Sequence, residues 1–193
     1  MMRTASQTPW RPTKTQLKAA TSKRVRDLVR PDLDVLFCGI NPGLYSAAVG
    51  HHFARPGNLF WPTLHASGFT PRRLTAFEER ELLSLGFGIT NLVARATAGA
   101  DDLVPDELHA GARTLTRKIL KQKPRFVAFL GLQAYRMAFG RRKAQVGLQP
   151  QTIGSSSLWL LPNPSGLNAH HQPPILRRMF SDLLAVVRSA GSP

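Results

Sequence analysis

Two short stretches concentrate residues that turn a chain sharply and expose its backbone: Gly39-Ile40-Asn41-Pro42-Gly43 and Leu161-Pro162-Asn163-Pro164-Ser165-Gly166-Leu167-Asn168. Proline and glycine fix tight turns, and glycine lets a ligand approach the main chain. Between them, Gly50-His51-His52-Phe53-Ala54-Arg55-Pro56-Gly57-Asn58-Leu59-Phe60-Trp61 sets aromatic rings beside histidine, arginine and asparagine. Rings stack a planar base and polar groups read its edge. At least one of Phe53, Phe60 and Trp61 is expected to serve the core instead.

Other chemistries find little support. Neither G-x-G-x-x-G after the first apolar run nor G-x-x-x-x-G-K-[ST] occurs, which argues against a dinucleotide site and a P-loop. The pairs His51-His52 and His170-His171 lack the H-x-x-x-H or clustered Cys/Asp context of a metal site, so no metal is expected. Ser155-Ser156-Ser157 and Ser165 lack the G-x-S-x-G context of a nucleophile elbow. Asp101-Asp102 and Glu78-Glu79 read as solvated polar stretches, not as a paired general acid and base.

The elements that must position the two loops follow from periodicity. Short apolar and β-branched runs predict strands over 34–40, 87–92, 125–130 and 157–161. Helical spacing is predicted over 58–66, 75–85, 106–122 and 132–139. It is clearest where Leu108, Ala112, Leu115 and Ile119 recur opposite Arg113, Arg117, Lys118 and Lys121. A last amphipathic helix carries Ile175, Leu176, Met179, Phe180, Leu183, Leu184 and Val187, and must cover one face of a sheet. Alternation of strands and helices predicts an α/β fold: a three-layer sandwich around a mostly parallel sheet of roughly four to five strands. In such folds ligands bind at the carboxyl ends of the strands, where both loops begin.

Size and charge narrow the partner. The 193 residues suit one domain, over 32–189, with a frayed end at 190–193. Residues 1–31 carry eight basic side chains against Asp27 alone, and few large apolar ones besides Trp10, so a basic and mostly mobile arm is expected, with a short helix near 23–29. Lys and Arg total 26 against 11 acids, a net charge of +15, which fits a polyanion better than a small acidic metabolite. With Cys38 alone, an internal disulfide, a thiolate zinc ribbon and an iron–sulfur cluster are excluded, and a reducing, cytoplasmic setting is expected. No apolar run approaches the roughly 20 residues of a membrane span. Residues 1–30 also lack a signal's apolar stretch.

Taken in order, the Gly39–Gly43 motif, Gly50-His51-His52-Phe53 through Asn58-Leu59-Phe60-Trp61, Thr90-Asn91-Leu92-Val93, and Leu161 to Leu167 resemble the mismatch-specific uracil-DNA glycosylase and thymine-DNA glycosylase family, over about 33–187. The resemblance implies the uracil-DNA glycosylase fold, a parallel sheet between helices. It further implies a monofunctional enzyme that flips uracil out of duplex DNA and hydrolyses its glycosidic bond, with no cofactor. The partner is then double-stranded DNA holding a uracil mismatch, met by a monomer. By similarity Asn41 positions the attacking water, and Phe53 stacks on the base. Ile40, Gly43, Ser46, His51 and Asn58 are expected to line the base site, with backbone N–H groups and His51 or His52 stabilising the leaving anion. Leu167 is the expected wedge, with Gly166 and Asn168 against the opposite guanine. No lysine in the two loops is placed to form a Schiff base.

The chain departs from the family at Ala94, where an Asp or Glu is usual, and at Ala169-His170, where some relatives carry a supporting arginine. An alanine neither orients a water nor stabilises a cation, so a weakened or knockout form of the enzyme is expected, with a non-catalytic mismatch-DNA-binding protein on the same fold as the alternative. A hydrolase of free nucleosides would leave the charge unexplained.

Overall fold

The computed structural model describes residues 11–165 and 173–191. The described elements are α1 (Lys14–Ala19), β1 (Val35–Gly39), α2 (Leu44–Val49), α3 (Phe60–Ala66), α4 (Glu81–Ser84), β2 (Phe87–Asn91), α5 (Pro105–Gln122), β3 (Phe126–Leu130), α6 (Leu132–Ala138), β4 (Gly147–Ile153), β5 (Ser156–Leu161) and α7 (Pro173–Ser189). They build a five-stranded sheet in the order β2-β1-β3-β5-β4. β1, β2, β3 and β5 run parallel, and β4 closes one edge antiparallel to β5.

Every residue of β1 and β3 is buried, as expected of parallel strands covered on both faces. Alternate side chains divide between two cores. Val35, Phe37, Phe126, Ala128, Trp159 and Leu161 meet α3, α4 and α7 on one side. Cys38, Val127, Phe129, Leu158 and Leu160 meet α5 and α6 on the other. The predicted stripe of α5 is buried at Leu108, Ala112, Leu115 and Ile119, with Pro105 in its first turn and Lys123 in a left-handed C-cap.

Four differences from the sequence expectations have physical causes. β4 escaped notice because it is polar and contains Pro150, which an edge strand tolerates at an irregularity; the register shifts between Leu148 and Thr152. The six-residue α2 is hidden between Gly43 and the left-handed Gly50. The helix expected over 75–85 is broken into a 3-10 turn at Ala76–Glu78 and the short α4. The helix near 23–29 is replaced by extended chain, because Leu28 exchanges two 2.8 Å backbone bonds with Ile89. With that pairing, part of the segment expected to be mobile is packed: Ala20, Val25 and Leu28 are all buried.

Candidate active site

The strand order reverses between β1 and β3: the chain leaves β1 for β2 on one side, and leaves β3 for β4 and β5 on the other. A cavity of about 250 Å³ opens beside this switch point, at the carboxyl ends of β1, β2 and β3. Its floor is Gly39, and a Cβ there would lie 2.6 Å from Asn91 Oδ1 and 3.2 Å from Phe53 Cζ. Only a glycine lets both side chains close over the backbone at that point.

Asn41 projects from the turn after β1. Its Nδ2 donates to the Arg95 carbonyl at 2.9 Å and to Thr97 Oγ1 at 2.6 Å. Thr97 Oγ1 in turn donates to the Gly99 carbonyl at 2.6 Å, so the hydroxyl must accept from Asn41. Both amide hydrogens are thereby spent, and the amide cannot flip without losing two bonds. Oδ1 is the remaining functional atom, an acceptor on a residue that lines the cavity.

His52, another lining residue, rests on a buried carboxylate. Glu79 accepts from Nδ1 of His51 at 3.0 Å, and from both Nδ1 and the backbone N–H of His52 at 2.9 Å. Burial pushes the Glu79 carboxyl up, but these hydrogen bonds outweigh it and hold the group below its ordinary range. Ionised Glu79 needs donors, which places hydrogen on both Nδ1 atoms. His52 is 2% exposed, and its Nε2 is buried without a hydrogen-bond partner among the described residues. The reading of Glu78-Glu79 as one solvated stretch is thus corrected: Glu78 caps the turn at Thr75 and pairs with Arg72, while its neighbour turns inward. Two adjacent histidines beside a ligand loop were the available signal, since a buried pair of rings needs an acceptor.

Phe53 stacks on Phe60 with centroids 4.1 Å apart, and its backbone is left-handed at φ 52°. A bulky non-glycine residue held in that region is strained by roughly 1–3 kcal/mol, which functional sites tolerate more often than core positions do. Phe60 and Trp61 are core residues. Ser46 lines the cavity while its Oγ accepts from Ala54 N–H at 3.1 Å, and Asn58 caps Phe60 N–H at 2.9 Å. Leu59 N–H donates to the Pro164 carbonyl at 2.9 Å, joining the aromatic stretch from Gly50 to Trp61 to the loop after β5.

Of the expected site residues, Ile40, Asn41, Gly43, Ser46, Phe53 and Asn58 line one cavity. His51 is outside the lining, edge-on to Phe77 with ring centroids 4.9 Å apart. Ala94 is exposed and outside the lining, next to the Arg95 whose carbonyl holds Asn41. Gly166, Leu167 and Asn168 lie outside the described residues. Sequence reasoning gave no role to Val25, Asn91, Thr97 and Asp101, which also line the cavity; Asn91 belongs to the Thr90–Val93 motif, and the other three to none. Cys38 is 1% exposed, and burial pushes its thiol far up, so it offers no thiolate. Among the described residues no group of three or more His, Cys, Asp and Glu is placed to hold a metal ion.

Ion pairs among the described residues engage Arg72, Arg95, Lys118 and Arg125, far fewer than the 26 Lys and Arg. Arg95 is turned to Glu107, whose carboxyl it holds down at about 2. Arg55 remains at the cavity, and Arg177 and Arg178 flank a groove between α3 and α7.

Residues 26–185 match the uracil DNA glycosylase superfamily. The chain belongs to that superfamily. As a uracil DNA glycosylase superfamily member it is a DNA glycosylase, a hydrolase of DNA repair that acts on DNA. The mostly parallel five-stranded sheet between helices agrees with that fold.

Proposed function

We propose that this chain is a monofunctional, mismatch-directed uracil-DNA glycosylase, acting first on G·U pairs and needing no cofactor. The observation that carries the reading is the pinned Asn41 amide, whose Nδ2 is held by two acceptors on a residue that lines the cavity together with Phe53 and Asn91. A mispaired base costs least to flip, and duplex phosphates suit the surplus of cations. The flipped ring stacks on Phe53. An Asn amide offers both a donor and an acceptor, the complement of a pyrimidine imide edge, which suits Asn91 to read uracil.

Hydrolysis then needs little base catalysis. Asn41 Oδ1 accepts a hydrogen bond from a water and aims its oxygen at C1′, but an amide has no useful basicity. The C1′–N1 bond breaks with its electron pair going to the uracil ring, and the water oxygen bonds to the oxocarbenium-like C1′. The water's proton is released once the new bond forms, giving an abasic sugar and uracil. Backbone N–H groups of the loop after β1 favour the departing anion. No lysine lines the cavity among the described residues, in keeping with hydrolysis in place of a Schiff base. Leu167 is the proposed wedge, with Gly166 and Asn168 facing the opposite guanine.

Single-turnover release of uracil from a G·U duplex, with Asn41→Ala as comparison, tests the reading. Release by the native chain that collapses in the variant supports it. Duplex binding without any release favours the mismatch-binding alternative, which the missing acid at position 94 motivates.

A further inference from the structure

Val25 lines the same cavity as Asn41 and Phe53 and is 7% exposed, although it comes from the basic segment that precedes the domain. It is fixed from both sides. Before it, Ala20 is fully buried against Ala47 of α2 and Ala96 of the loop after β2, a contact only small side chains permit. After it, Asp27 accepts from Thr90 Oγ1 at 2.7 Å and pairs with Lys118, whose Nζ also reaches Thr90 Oγ1 at 2.7 Å. Leu28 is then bonded to β2 through Ile89. Held between these anchors and branched at Cβ, Val25 has little freedom to swing out of the wall. The superfamily match begins at residue 26, so this part of the wall lies before the matched region.

We propose that Val25 is a specificity-determining residue that limits the substituent a flipped pyrimidine carries on its ring carbons, an inference that rests on the function proposed above. The polar lining, Asn41, Asn91 and His52, is suited to the carbonyl and imide edges of the base. The C5–C6 edge of a pyrimidine has nothing to offer those groups and is best met by an aliphatic wall. A single methyl group in an apolar pocket changes discrimination by about 10- to 200-fold. Val25→Ala therefore relaxes the choice between uracil and its 5-substituted relatives, and Val25→Ile tightens it.

The test is single-turnover excision from duplexes holding uracil, 5-fluorouracil or thymine opposite guanine, by the full native chain, V25A and V25I, with thermal unfolding of each. The expected result is a thymine-to-uracil rate ratio about tenfold higher in V25A and lower in V25I, with 5-fluorouracil changing less than thymine. If Val25 is only packing, both variants lower all three rates in proportion, and the unchanged ratio overturns the inference while uracil release by the native chain keeps the proposed function. If the native chain releases none of the three bases, the proposed function falls and this inference with it.

Discussion

The two polar walls of the cavity are built from opposite materials. On one, Asn41, Thr97 and the carbonyls of Arg95 and Gly99 form a neutral relay in which the hydrogens of Asn41 Nδ2 and the Thr97 hydroxyl are committed. On the other, His51 and His52 converge on the buried, ionised Glu79. The neutral wall fixes a direction at little desolvation cost, which suits the role proposed for Asn41, to aim a water without taking its proton. The ionic wall costs more to bury and depends on pH. On the proposed function, the difference teaches that orientation of the water and construction of the base site are separable and can be broken one at a time.

The largest effect is expected on the neutral wall. Asn41→Ala should lower single-turnover uracil release by about 100- to 1000-fold, the usual loss for one preorganised polar group, while gel-shift affinity for the G·U duplex is retained. Loss of binding together with rate would show that Asn41 builds the site and does not aim the water.

Glu79→Ala breaks the ionic wall and leaves two rings short of an acceptor. A destabilisation of about 3 kcal/mol in urea unfolding at pH 7 is expected, the upper end for leaving a buried donor unsatisfied. The sign with pH follows from the lowered carboxyl: its contribution is present above the unfolded value near about 4.3 and is lost as pH falls through the folded one. Native stability should therefore fall below about pH 4 with a component the variant lacks. Parallel pH curves for the two proteins would contradict this.

Thr97→Val cuts the relay in its middle. It should cost about 1 kcal/mol of stability and about tenfold in single-turnover rate, by freeing the Asn41 amide to turn. Ala94→Asp should have the smallest effect, a rate gain of up to about tenfold, because position 94 is exposed but adjoins the carbonyl that holds Asn41. A gain as large as the Asn41→Ala loss would move the centre of catalysis to position 94.

How much of this was legible depended on whether a residue's partners were near in sequence. The four parallel strands announce themselves as apolar runs, and the loops after β1 and β5 as clusters of glycine, proline and asparagine. The relay did not, because Thr97 is one threonine in Arg95-Ala96-Thr97-Ala98, with nothing local to mark it as the partner of Asn41, 56 residues away. Glu79 was misread through its neighbour: two adjacent acids look solvated, yet successive residues of a tight turn face different ways. Val25 sits among Lys23, Arg24 and Arg26, where charge density argued for solvent and concealed one aliphatic side chain directed to the cavity.

The pairing of residues 27 and 28 with β2 also sets an order of assembly. Asp27 and Thr90 are 63 residues apart, so the loop between them has to close before either contact forms. Long-range closures of this kind come late and slow folding. During synthesis the segment that carries Val25 emerges first, yet it has no β2 to dock on until Ile89 and Thr90 have followed it. A nascent chain that already holds Asn41 therefore still lacks one side of its pocket, and the complete cavity exists only after β1 and β2 have paired.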